Sequence, residues 1–85
     1  MEIAKTIGNN IKNARKFKNL TQSAVAKQLN MTQQQYSRFE NGVFELNYSQ
    51  IVQICTLLNI TPNEIFGFDI QWNIFLAINI LISYN

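Results

Sequence analysis

At 85 residues, 47% of them apolar and 14% charged, the chain is long enough for one small domain and too short for two. It has no histidine and a single cysteine, which excludes an internal disulfide and His/Cys metal-ligand spacing; no cofactor or metal is implied. The net charge of +2 hides an asymmetry. All seven basic residues fall in the first 38 positions and no acid lies between Ala4 and Phe39, so that segment carries +7 and the remainder after it −4. Such separation predicts a basic face offered to a polyanion, the plainer alternative being a chance excess of solvated lysines.

In chain order, Ile3, Ile7, Ile11, Ala14 and Phe17 recur at helical spacing and predict a first helix over residues 2 to 18, with most lysines on its other face. Asn19 suits its stop. Thr21 suits the N-cap of a short helix from Gln22 to Leu29 that turns Val25, Ala26 and Leu29 inward. Asn30 suits a left-handed helix end, and Thr32 caps a third helix, Gln33 to Glu40, with Tyr36 and Phe39 inward and Asn41-Gly42 closing it. Two short helices joined by a tight Asn30-Met31-Thr32 link form a helix-turn-helix.

Asn47-x-x-Gln50 is a capping-box pattern that opens a fourth helix, running to about Leu58 with Ile51, Ile54, Cys55 and Leu58 on one face. Cys55 therefore reads as a core residue, with nothing nearby in sequence to activate a thiol. Thr61-Pro62-Asn63-Glu64 opens a fifth helix, with proline at its first position, ending at Gly67. Beyond Asp69 no charge follows, and residues 70 to 82 are almost all apolar. Ile70, Ile74, Ala77, Ile78 and Leu81 make one helical face, while Trp72, Phe75, Leu76, Ile80 and Ile82 keep the other apolar too; a strand over 74 to 82 is the alternative. The fold class expected is all-α, five helices over residues 1–68 with an apolar extension over 69–85.

Function is expected on the third helix. A recognition helix reaches base edges in the major groove through its N-terminal half. Gln33, Gln34, Ser37 and Arg38 lie opposite Tyr36 and Phe39, where the core does not need them. A glutamine amide pairs a donor with an acceptor and so matches N6 and N7 of adenine. A soluble helix surface is the bland alternative.

From Ile7 to Phe68 the sequence resembles the Cro/C1-type (XRE) helix-turn-helix family, the group that includes the phage lambda and 434 repressors. The resemblance rests on Leu20-Thr21-Gln22, on Ala26, on Phe39-Glu40-Asn41-Gly42 and on Thr61-Pro62-Asn63-Glu64-Ile65-Phe66-Gly67. It implies a lambda-repressor-like domain in which Gln22, Gln33 and Gln34 face bases, Arg38 stands at the base or phosphate margin, and Thr32, Ser37 and Asn41 hold phosphates. It further implies that Arg15 pairs with Glu40 and is structural.

The chain departs from that family in two places. Val43-Phe44-Glu45-Leu46 replaces the usual basic residues or proline after Gly42, so Phe44 is expected to serve a dimer or another partner. The apolar tail is the second departure. Left in water it invites association, and Ile70, Trp72, Ile74, Phe75, Ile78 and Leu81 are expected to form a homodimer interface, with folding back on the chain, another protein or a membrane surface as alternatives. The tail is too short to span a bilayer and lacks a basic flank, the N-terminus shows no signal peptide, and a lone cysteine suits a reducing compartment. The expected protein is therefore a cytoplasmic repressor that reads a pseudo-palindromic operator as a dimer. An antitoxin or other interaction module with autoregulatory DNA binding is the alternative. An enzyme is not expected, because no nucleophile with a base, phosphate-binding glycine loop or metal-ligand spacing is visible.

Overall fold

The computed structural model describes residues 3–68 and 77–83. Five helices follow one another as α1 (Ile3–Phe17), α2 (Gln22–Gln28), α3 (Gln33–Glu40), α4 (Tyr48–Leu58) and α5 (Pro62–Phe66). Residues 77–83 form a further helix, α6, and no strand occurs among the described residues. The all-α expectation holds, and helix bounds agree with the sequence reading to within a residue or so.

Local chemistry explains that agreement. Thr21 accepts a hydrogen bond from the Ala24 amide at 3.0 Å. Thr32, Asn47 and Thr61 each form a complete capping box, with Gln35, Gln50 and Glu64 reaching back to the cap amide. Each such cap stabilises its helix by about 0.5–2 kcal/mol, which matters for helices of five to eleven residues. Asn19, Asn30 and Asn59 take left-handed backbone at the turns, a conformation that asparagine tolerates better than most side chains.

The core consists of Ile11, Val25, Ala26, Tyr36, Ile54, Leu58 and Ile65, all at most 1% exposed. Cys55 is half-buried against it. Burial, and secondarily the Glu64 charge, raises its thiol pKa, the opposite of activation.

The reading of α1 needs correcting. Its buried residues are Gly8, Ile11 and Arg15, whereas Ile3 is 65% and Phe17 89% exposed. At 3.6 residues per turn, two successive three-residue steps carry Phe17 roughly 120° around the helix from Ile11, while Gly8 and Arg15 stay within about 60° of it. The apolar stripe therefore lies on one flank of the buried face. Gly8 marks the crossing of α1 over the end of α3: a Cβ there would press on the Phe39 carbonyl oxygen and sit 2.5 Å from that of Glu40. The Asn10 amide, donating to the Ile65 carbonyl at 2.8 Å, ties the same helix to α5.

Of the tail, Ile70, Trp72, Ile74 and Phe75 lie outside the described residues. Ile78 and Leu81 lie on α6, with 50% and 65% of their surfaces exposed. The strand alternative fails over 77–82, in keeping with the absence of period-two alternation there.

Candidate nucleic-acid interface

The interface is built outward from a buried ion pair. Arg15 on α1 donates through Nε to Glu40 Oε2 at 2.6 Å and through Nη2 to Glu40 Oε1 at 3.0 Å. Its Nη1 donates to the Leu20 carbonyl at 2.8 Å, which pins the turn between α1 and α2. The Glu40 side chain is fully shielded from solvent and that of Arg15 is 9% exposed. Burial alone would raise the Glu40 carboxyl pKa. The hydrogen bonds outweigh it, Arg15's first, and hold the group below its ordinary value. The bond to Glu40 raises Arg15 correspondingly, against burial that would lower it.

Tyr36 lies beside this pair and is fully buried. By geometry its hydroxyl has no hydrogen-bond partner among the described residues, yet the Glu40 carboxylate is near enough to act on it electrostatically. Burial, and then that carboxylate, push the phenol pKa well above its ordinary value, so Tyr36 stays neutral at any physiological pH.

The pair locks the C-terminal end of α3 to α1, and the outer face of α3 is thereby fixed. Gln22, Gln33, Gln34, Ser37 and Arg38 line one open, polar concavity on that face. Gln22 is half-buried at the start of α2 and its Nε2 donates to Glu40 Oε1 at 2.9 Å. Gln33 Oε1 accepts from the Ser23 hydroxyl at 2.8 Å, a bond between α2 and α3. Gln34 has no side-chain hydrogen-bond partner among the described residues. Thr32 and Asn41 cap the two ends of α3. Thr32 Oγ1 accepts from the Gln35 amide, and the Asn41 side-chain amide donates to Ser37 Oγ at 3.3 Å.

The helix-turn-helix domain family matches this chain over residues 8–67. The chain belongs to that family. It is a DNA-binding helix-turn-helix protein of the XRE type, in keeping with the resemblance drawn from its motifs. No curated protein and no solved structure matches it. Within the helix-turn-helix domain, α2 and α3 are the paired helices, and the Asn30-Met31-Thr32 turn is closed by the Met31 amide donating to the Ala26 carbonyl at 2.9 Å.

Three neighbours of the interface were not legible as such. Phe44 has a partner within the chain: its ring meets Phe39 edge-on at 6.3 Å between centroids, and the Arg38 guanidinium carbon lies 5.5 Å from its centre. The Val43 amide donates to the Arg38 carbonyl at 2.9 Å, which brings the loop back over the helix end. Ser23 and Gly8 are the others. An isolated glycine inside a helical pattern is a usable signal, because it weakens a helix by about 1 kcal/mol relative to alanine and so asks for a packing reason.

Among the described residues no helix is long and apolar enough to cross a membrane. An apolar pocket of about 230 Å³, lined by Ile3, Ile7, Phe39, Phe44, Tyr48 and Phe66 among others, opens beside the loop that follows α3.

Proposed function

We propose that this chain is a transcriptional repressor that binds a pseudo-palindromic operator as a homodimer, inserting α3 into successive major grooves and blocking access to the DNA. The observation that carries this reading is the shared concavity of Gln22, Gln33, Gln34, Ser37 and Arg38 on the outer face of α3. Glutamine and arginine are the side chains whose planar groups match purine edges. In this reading Gln22, Gln33, Gln34 and Arg38 contact bases, and Thr32, Ser37 and Asn41 contact phosphates. Residues 1–68 form the DNA-binding domain and residues 69–85 the dimerisation segment. The protein works by binding, without catalysis or cofactor, and in the cytoplasm.

Dimerisation draws support from the exposed apolar residues of α6, Ile78, Ile80, Leu81 and Ile82. Two recognition helices about 34 Å apart would read half-sites one helical turn apart, and joining them multiplies a weak single contact. A second reading, an antitoxin or similar module holding a partner protein, draws instead on the apolar pocket beside Phe44.

Selection of bound fragments from random DNA tests the first reading, followed by titration of the winner at several salt concentrations. Expected are paired half-sites and an affinity that falls steeply with salt. An affinity indifferent to salt, or unchanged in Gln33→Ala and Gln34→Ala, refutes it. Sizing of the purified chain separates the two readings: a dimer lost on deleting residues 70–85 supports the first, and a monomer whose tail aggregates supports a missing partner.

A further inference from the structure

Of the seven basic residues, Arg15 is taken up by Glu40 and Arg38 lines the concavity on α3, which leaves five lysines without a role. The loop after Gly42, Val43-Phe44-Glu45-Leu46, supplies no positive charge beside the recognition helix. One flank of α1 supplies it instead. Viewed down the helix axis with Ile11 toward the core, Gly8 lies about 60° and Arg15 about 40° to one side, and Lys12 at about 100° and Lys16 at about 140° continue round that same side. This flank is the one turned to the end of α3: Gly8 abuts the Phe39 and Glu40 carbonyls, Arg15 bonds to Glu40, and a Cβ on Gly42 would sit 2.7 Å from the Lys5 Cα. Ser37 and Asn41, joined by a hydrogen bond at 3.3 Å, stand at the same end of α3. Lys16 is exposed and Lys12 half-buried, and neither has an ion pair among the described residues. Lys18 is placed differently: it lines a hollow with Phe17, Leu58, Asn59 and Glu64, beside the turn between α4 and α5.

We propose that Lys12 and Lys16 form a second contact with DNA, gripping phosphates of the backbone that borders the groove entered by α3. This contact takes the place of the basic residues that the chain lacks after Gly42. A lysine ammonium is a point charge with three donors on a flexible stem, so it holds phosphate oxygens without reading bases. Four positions apart, the two lysines stand about 6 Å from each other along the axis and reach the same stretch of backbone. The Gly8 crossing and the Arg15–Glu40 pair fix α1 against α3, and with it the place of this flank relative to the recognition helix. The inference rests on the DNA-binding reading above and adds to it an affinity that carries no sequence preference.

The test uses the full chain, the operator selected from random DNA and a scrambled duplex of equal length. Each neutralised phosphate contributes about 0.9 to the slope of log affinity against log salt, so Lys12→Gln/Lys16→Gln is expected to flatten that slope by about 1.8 on both duplexes and to leave the ratio of their affinities unchanged. Lys12→Arg/Lys16→Arg keeps the charge and should keep the slope. Lys16→Gln alone should flatten it by about 0.9, whereas Lys18→Gln, with the same net charge, should leave it unchanged. Neutral methylphosphonates placed one at a time along each strand should weaken the parent at one or two positions per half-site where they no longer weaken the double variant. Melting curves that match the parent establish that the variants are folded, and the methylphosphonate series on the parent needs no variant to locate the contacted phosphates. An unchanged slope in the double variant, an equal flattening by Lys18→Gln, or an altered base preference overturns this inference and leaves the DNA-binding reading in place. A parent whose binding ignores salt overturns both.

Discussion

Replacing Arg15 by alanine is the sharpest test of how this domain is held together. The substitution removes both hydrogen bonds to Glu40, at 2.6 and 3.0 Å, and the one to the Leu20 carbonyl at 2.8 Å. It leaves a desolvated carboxylate that keeps the hydrogen bond from the Gln22 amide but no positive partner. Breaking one side of a buried pair typically costs about 3–5 kcal/mol, because the surviving charge stays desolvated. In a domain of this size each 1 kcal/mol lowers the melting temperature by about 4–8 °C, so a fall of roughly 12–40 °C is expected. Total stability is of order 4–13 kcal/mol at about 0.05–0.15 per residue, so the loss is about a quarter of it or more and unfolds the variant at 37 °C if the parent lies at the low end. Circular dichroism melts at pH 7 measure this. The double variant Arg15→Met/Glu40→Leu should recover at least half of the loss, since an apolar pair of similar volume leaves no stranded charge. A single variant that melts within about 5 °C of the parent, or a double variant less stable than the single, refutes the reasoning.

Three further outcomes follow from the same geometry. Because the folded-state pKa of Glu40 lies below the ordinary value of 4.5, its contribution is complete above that pH and is lost as pH falls through the folded value. Urea midpoints should therefore fall as pH drops below about 4.5, and a Glu40→Gln variant should lack that component. Gly8→Ala, which in an open helix would stabilise by about 1 kcal/mol, should instead destabilise by about 1–3 kcal/mol in urea titrations, because the new Cβ meets backbone carbonyls that cannot swing aside. Phe44→Leu keeps apolar volume but removes the ring beneath Arg38; DNA titrations should show a loss of about 0.5–1 kcal/mol in binding, with Phe44→Tyr close to the parent.

The sequence by itself determined the helices, the turns between them and the outward-facing residues of α3. Capping is a contact between residues three apart, so Thr21, Thr32, Asn47 and Thr61 announce it without reference to the rest of the fold. The family match over residues 8–67 bears out the XRE resemblance drawn from the same short motifs. The Arg15–Glu40 pair was reached through that resemblance and not through spacing, since nothing in a one-dimensional pattern joins positions 25 apart.

Tertiary structure decided the rest. Periodicity finds an apolar stripe but not its centre, and the position of α3 and α5 against α1 turned the buried face toward Gly8 and Arg15 and left Phe17 in solvent. The same packing brought Glu40 beneath Gln22 and the loop after Gly42 back over Arg38. The residues that face DNA in the proposed reading are written in the sequence. The bond from Gln22 to Glu40 is not, because the two lie 18 positions apart and meet only when the helices close.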